Sequence, residues 1–391
     1  MKNKLPIAFM NAARFFLLLS LGMGQHFSSA QDTLPPKKLF IGFCAHYGFI
    51  IAHHYNMEYL IKRHVPAGEL NFTLQTNGEK HWEQVYKNPE KGLGLYFADL
   101  GNPQHLGQAI GVFPFANFPL NPGRKFKLYI RSGHGIGIFT KPYDQLNNHK
   151  NNIIGSRING FVNLRLSSVF FPWKNIRMET GIGLTHQSNA AWTLPNLGIN
   201  IASVNLGISF MKRQYAPSYP NPKGGNAVDS TATFKTEGRE AAPPNYFFTM
   251  IAAAGVNQIS PPGSKKRYAS YTLSACGWKI VSEKSRFCLG GDLFYEMANL
   301  AAAKRDTVFD TSNKLNNLQA GVRLGYELVI GKFSLPLEMG AYLFTKTTVN
   351  GPLYHRIGLR YYVNKHLIIN YTLKTHWVTA ENFEFGLGYR F

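Results

Sequence analysis

The feature that most constrains this chain is a strict period-two alternation that recurs in segment after segment. In the last of them Phe383, Phe385, Leu387, Tyr389 and Phe391 share one parity, while Glu384, Gly386, Gly388 and Arg390 share the other. Before it, Leu367, Ile369, Tyr371 and Leu373 alternate with His366, Asn370, Thr372 and Lys374, and Ile357, Leu359, Tyr361 and Val363 alternate with Arg356, Gly358, Arg360 and Tyr362. Asn364-Lys365 between those two segments predicts a tight two-residue turn. Because side chains along a strand point to opposite faces in turn, each segment is a strand with one apolar face and one polar or small face. Segments of this kind are predicted near 38–52, 67–75, 92–99, 106–118, 125–140, 154–170, 175–188, 197–211, 245–257, 266–280, 285–297, 317–330, 332–345, 354–363, 365–375 and 380–391. The expectation is an all-β chain folded as one antiparallel barrel of about 12–16 strands.

Which face looks inward decides between a soluble barrel and a membrane barrel. Lys2, Lys4 and Arg14 form a basic start, Phe15 to Met23 a short apolar core, and Ser28-Ser29-Ala30 a small-residue cleavage site. This reads as a secretory signal peptide over residues 1–30, cleaved after Ala30 and too short to span a bilayer as an anchor. Export, an apolar face rich in Phe and Tyr, and Gly, Arg, Lys and His at the centres of the other face all favour an outer-membrane barrel with its apolar face outward. The chain ends on Phe391, which resembles the C-terminal assembly signal of Gram-negative outer-membrane barrels. With 14% aromatic and only 16% charged residues, disorder is excluded. Residues 213–243, carrying Pro217, Pro220, Pro222 and Pro243, lack any periodicity and are predicted as a long polar loop between barrel portions 31–212 and 244–391. Cys276 and Cys288 sit in neighbouring predicted strands, where a disulfide and two packed thiols are both open readings.

One segment carries a candidate chemistry. In Asn175 to Ser188 the apolar parity is Ile176, Met178, Ile182 and Leu184, and His186 and Ser188 share it. Both therefore project from the lipid-facing surface, near a loop. In the next segment Asn200 lies on the apolar parity with Ala202, Val204 and Leu206. If the connection is centred on Thr193, Asn200 falls directly opposite His186, within about 4.5–5.5 Å between Cβ atoms. A serine hydroxyl, an imidazole and a hydrogen-bonding group that fixes the imidazole are the parts of a nucleophile–base–orienter triad. The competing reading is interfacial polar residues near a loop. The shared face and the matched third residue favour catalysis. Glu179 is no substitute for the third member, because its parity points it into the lumen.

Thr185-His186-Gln187-Ser188-Asn189-Ala190, followed by Pro195-Asn196-Leu197-Gly198-Ile199-Asn200, resembles the lipid A 3-O-deacylase (PagL-type acyloxyacyl hydrolase) family over roughly residues 38–212. The resemblance implies Ser188 as nucleophile, His186 as base, and Asn189 as part of the oxyanion or substrate-binding site. The third member in that family is usually a glutamate; Asn200 stands in its place, which can hold an imidazole tautomer but cannot offset imidazolium charge. The same residue types also resemble outer-membrane phospholipase A, although Leu197-Gly198-Ile199 lacks the Arg and Trp that precede the asparagine there. That second resemblance implies calcium dependence and dimerisation, so a homodimer belongs among the expected partners. A non-catalytic structural or transport barrel is the third reading.

The expected substrate is lipid A or lipopolysaccharide, or alternatively a phospholipid, in the outer leaflet. A formal charge of +21 and the basic stretches Gly123-Arg124-Lys125-Phe126-Lys127 and Ser264-Lys265-Lys266-Arg267 suit an anionic glycolipid. Export to the envelope argues against a nucleic-acid partner. His46, His53 and His54 lack carboxylate or cysteine partners at ligand spacing, so no metal and no cofactor is expected, and these histidines read as belt or lumen residues.

Overall fold

The computed structural model describes residues 36–123, 126–215, 245–259, 262, 264–306, 313–346, 351–377 and 379–391. The predicted signal peptide and its cleavage site, the basic residues Arg124 and Lys125, and most of the predicted polar loop lie outside them.

Among the described residues, alternating sequence has become sixteen antiparallel strands, one for each predicted segment. The first eight are β1 (Lys37–Ile50), β2 (Val65–Gln75), β3 (Glu90–Asp99), β4 (Gln108–Pro119), β5 (Lys127–Phe139), β6 (Ile158–Trp173), β7 (Ile176–Ser188) and β8 (Ile199–Tyr215). The second eight are β9 (Tyr246–Asn257), β10 (Tyr268–Ser282), β11 (Ser285–Glu296), β12 (Leu318–Ile330), β13 (Phe333–Phe344), β14 (Leu353–Tyr362), β15 (Leu367–His376) and β16 (Thr379–Arg390). β8 takes in residues 213–215, which were expected to open the loop.

Closure departs from expectation. The strands form two closed barrels, β1 to β8 and β9 to β16, rather than one. β1 pairs with β8 from Lys37↔Tyr215 to Ile50↔Ile201, and β16 pairs with β9 through Phe385↔Ala254 to Arg390↔Thr249. The C-terminal residue seals the second ring: Phe391 N–H donates to Phe248 O at 2.9 Å, and the two rings lie 5.9 Å apart.

The inward side chains explain why small barrels suffice. Eight strands leave an interior just wide enough for side chains to fill. In the first lumen Arg165 of β6 reaches across to Glu69 of β2 and pairs with Glu179 of β7, while Arg177 of β7 pairs with Glu179 and, across the lumen, with Glu90 of β3. In the second, Arg323 and Arg356 meet on Asp292, Arg360 pairs with Glu338, and Lys374 pairs with Glu296. Such buried charges persist only when paired and hydrogen-bonded, and four of these pairs, Arg165–Glu69, Arg177–Glu90, Arg356–Asp292 and Lys374–Glu296, join strands that are not neighbours.

The outer faces are the apolar ones. Along β7, Ile182 is 60% exposed while Arg177 and Glu179 are 2% and 3% exposed. Phe385, Leu387 and Tyr389 of β16 likewise look outward and Glu384 inward. Apolar-out alternation around a closed antiparallel ring is the geometry of an outer-membrane barrel. Cys276 and Cys288 are both buried free thiols.

The barrels stand side by side in the same orientation. At one end Tyr86 donates to Val329 O at 2.6 Å and His81 meets Glu283 at 2.9 Å. At the other end Gln258 N–H donates to Ala191 O at 2.8 Å. The second end carries the connections 51–64, 140–157, 189–198 and 297–317. The first end has the two-residue turns 174–175, 283–284 and 331–332, the segment 76–89, and the stretch 216–245 that joins the two barrels. Connection 189–198 therefore lies at the end that carries most of the longer connections.

Candidate active site

β7 and β8 are the two walls of one hairpin, and their register pairs His186 with Asn200, as the spacing about Thr193 predicts. The side chains meet. His186 Nδ1 lies 2.7 Å from Asn200 Oδ1, and His186 Nε2 lies 3.0 Å from Ser188 Oγ. An amide oxygen only accepts, so Nδ1 carries the proton and Nε2 presents its lone pair to the serine hydroxyl. A neutral imidazole in this tautomer can take the hydroxyl proton as the oxygen attacks a carbonyl carbon. Ser188 is 8% exposed on the outward face.

A fourth residue completes the chain of bonds. His53, in connection 51–64, has Nε2 2.9 Å from Leu197 O and Nδ1 3.3 Å from Asn200 Nδ2. With Nε2–H donated to the Leu197 carbonyl, Nδ1 is an acceptor for the Asn200 amide, and this turns Oδ1 toward His186. Ile51 O is also 3.2 Å from Nδ1; in this tautomer that approach is a close contact between two acceptors. His53 was expected to be a belt or lumen histidine. It reaches the site because β1 closes the barrel against β8, with Ile51 N–H donating to Asn200 O at 2.8 Å. No local motif carries that signal, since the pairing spans most of the barrel. Its neighbour His54 is held below the usual imidazole range by partial burial and by His53. His46 is a lumen residue beside Glu69 and Arg165, as expected.

The loop after Ser188 is tightly held. Asn189 N–H donates to Asn196 Oδ1 at 3.0 Å, and its side-chain amide donates to Ser156 Oγ and Thr193 O at 2.8 and 2.9 Å. Asn189 therefore braces the loop, and its main-chain N–H serves a substrate oxygen only by leaving Asn196. Ala190 and Ala191 take left-handed φ of 51° and 59°. Consecutive non-glycine residues in that region store strain, which concentrates at functional sites. Gly198 has φ +75°, and a Cβ built on it would lie 3.2 Å from Ser188 Cβ and 3.3 Å from His186 Cε1. Only glycine gives both that backbone and that clearance.

The second barrel grips the same loop. Gln258 Oε1 accepts from Leu194 N–H at 3.1 Å, and Arg267 donates to Trp192 O and Thr193 Oγ1 at 2.8 and 2.7 Å. The basic stretch Lys265-Lys266-Arg267 is thereby fixed beside the site. Glu179 points into the lumen, as its parity predicts, and is bonded to Arg165 and Arg177. Among the described residues no group of three or more His, Cys, Asp or Glu side chains is arranged to hold a metal ion.

Among solved structures, the outer membrane enzyme PagL matches at 18% identity and TM-score 0.29, over 42% of this chain and 97% of that one. A mutant porin of Rh. blastica matches at 7% identity and TM-score 0.18, over 91% of this chain and all of that one. The translocator domain of the autotransporter NalP from Neisseria meningitidis matches at 9% identity and TM-score 0.20, over 98% and 96%. No curated protein matches the sequence. Residues 67–209 match the family model of lipid A 3-O-deacylase (PagL), and residues 245–391 match that of the acyloxyacyl hydrolase C-terminal domain. The chain is an outer-membrane β-barrel protein of the PagL lipid A deacylase family, its first barrel matched by the lipid A 3-O-deacylase model and its second by that of the acyloxyacyl hydrolase C-terminal domain.

Proposed function

We propose that the protein is a serine esterase that removes an ester-linked acyl chain from lipid A in the outer leaflet. The observation that carries this reading is the unbroken chain Ser188–His186–Asn200 on the lipid-facing surface. Ser188 Oγ attacks the ester carbonyl carbon while His186 Nε2 takes its proton. The tetrahedral intermediate collapses, the sugar oxygen leaves with that proton, and the acyl group stays on Ser188. Water, deprotonated by His186, then attacks the acyl-serine, and the fatty acid departs as Ser188 regains its proton. Asn200 orients the imidazole, and Asn189 provides a main-chain N–H to the developing oxyanion after exchange with Asn196.

Location supports the substrate. An outward triad at the long-loop end meets esters dissolved in the outer leaflet, and Lys265, Lys266 and Arg267 bring cationic charge to an anionic glycolipid. Family membership favours lipid A over a phospholipid. Mass spectrometry of lipid A from cells expressing the wild type should show loss of one hydroxyacyl chain, and cells expressing Ser188→Ala should not. Fatty acid released from phosphatidylethanolamine, with lipid A intact and dependence on calcium and dimerisation, would favour the phospholipase reading instead.

A further inference from the structure

The second barrel touches the site at a place that neither loop clamp explains. Gly160 of β6 is the register partner of Ser188 and shares its outward face. A Cβ built on Gly160 would lie 3.4 Å from Ser188 O, 3.3 Å from Phe383 Cζ and 4.0 Å from Tyr371 Oη. Phe383 and Tyr371 belong to β16 and β15. Their rings stack at 5.1 Å, and Phe385 adds a third ring 4.9 Å from Tyr371. Elsewhere on β16 the outward residues Phe385, Leu387 and Tyr389 are open to lipid, whereas Phe383 is half-buried by this contact.

We infer that Tyr371 and Phe383 form a specificity-determining wall, supplied by the second barrel, that bounds the acyl chain of the substrate beside Ser188. The inference rests on the ester-hydrolase reading of Ser188 and assigns the chain-length limit of that same site. Once the carbonyl sits at Ser188 Oγ, the chain must run along the barrel surface. On the β6 side the space over Gly160 is closed by two aromatic rings, so methylenes that would extend that way meet them. The rings are flat and lie on the outward face beside Ser188, which suits packing against an aliphatic chain. A glycine at 160 lets them approach; any side chain there would push them away. The wall thus belongs to a barrel that carries none of the hydroxyl–imidazole–amide chain.

The test uses the full-length protein in detergent micelles with glucosamine phosphates bearing 3-hydroxyacyl esters from octanoyl to palmitoyl. The wild type should show a falling kcat/KM beyond one chain length. In the Tyr371→Ala/Phe383→Ala double variant the ratio of kcat/KM for the longest to the best chain should rise about tenfold, the size of effect expected from opening a hydrophobic pocket by a few methylenes. Tyr389→Ala, on the same strand beside His366 at the far end, should leave the ratio unmoved. Gly160→Leu, which displaces the rings without removing them, should also change it. Heat-modifiable gel migration reports that each variant is folded. A folded double variant with an unchanged chain-length ratio, beside an inactive Ser188→Ala, overturns the wall alone. A wild type without turnover, or a Ser188→Ala protein that retains it, overturns the esterase reading and the wall with it.

Discussion

His186 and Asn200 face each other across β7 and β8, with Nδ1–H donated to the amide oxygen over 2.7 Å. An amide in this position fixes the imidazole's tautomer and direction yet leaves imidazolium charge unmatched. Asn200→Glu should therefore keep or raise deacylation, since a carboxylate both orients the ring and stabilises its charged form. Asn200→Leu should lower kcat by about 10²-fold or more, because the imidazole loses its anchor. Both are read from lipid A turnover by purified protein; a Glu variant as inactive as the Leu variant would contradict the orienting role.

Removing the hydroxyl or the base should be more severe. Ser188→Ala and His186→Ala should each cost about 10³-fold or more, and the double variant should cost little beyond either one, because the residues act as a unit. Additive losses would indicate separate structural effects.

His53 tests whether Asn200 is itself held. His53→Leu should reduce kcat about tenfold, roughly 1.4 kcal/mol of transition-state stabilisation, with KM little changed. His53→Gln, which keeps an acceptor for the Asn200 amide, should recover part of that loss. Equal activities for the Leu and Gln variants would place His53 outside the chain of bonds.

Gly198 is constrained twice over. Gly198→Ala puts a Cβ on a left-handed residue and presses it to 3.2 Å from Ser188 Cβ. The expected outcome is a folded barrel with turnover reduced about tenfold or more, since an ångström-scale displacement of reacting groups is costly. Circular dichroism and lipid A turnover, measured on one preparation, separate the two effects.

The lumen predicts stability rather than activity. Glu69 bonds both Arg131 and Arg165. Glu69→Ala leaves Arg131 without its carboxylate and Arg165 with Glu179 alone, and should destabilise the first barrel by about 3–5 kcal/mol. Urea titration followed by gel migration measures it, and the protein that remains folded should keep its turnover.

Much of the site was legible along the chain. The Ser188–His186–Asn200 constellation lies within one hairpin, where parity and the centre of the turn fix who faces whom. His53 was not legible, because it meets Asn200 only after β1 has closed on β8. Asn189 was expected to face the substrate, and its bonds to Asn196, Ser156 and Thr193 show how a loop can engage the donors a motif suggests are free.

Alternation by itself determined strands, the apolar outward face and the triad's place on it, because a period of two is a local property that each segment carries alone. Only the tertiary structure decided that sixteen strands close as two rings, since the same alternation serves a barrel of any size. An eight-stranded ring is narrow enough for charged side chains to meet across it, as Arg165 meets Glu69 and Arg356 meets Asp292. The same closure, and the packing of one ring against the other, bring His53, Arg267 and Phe383 to a hairpin from which they are distant in sequence.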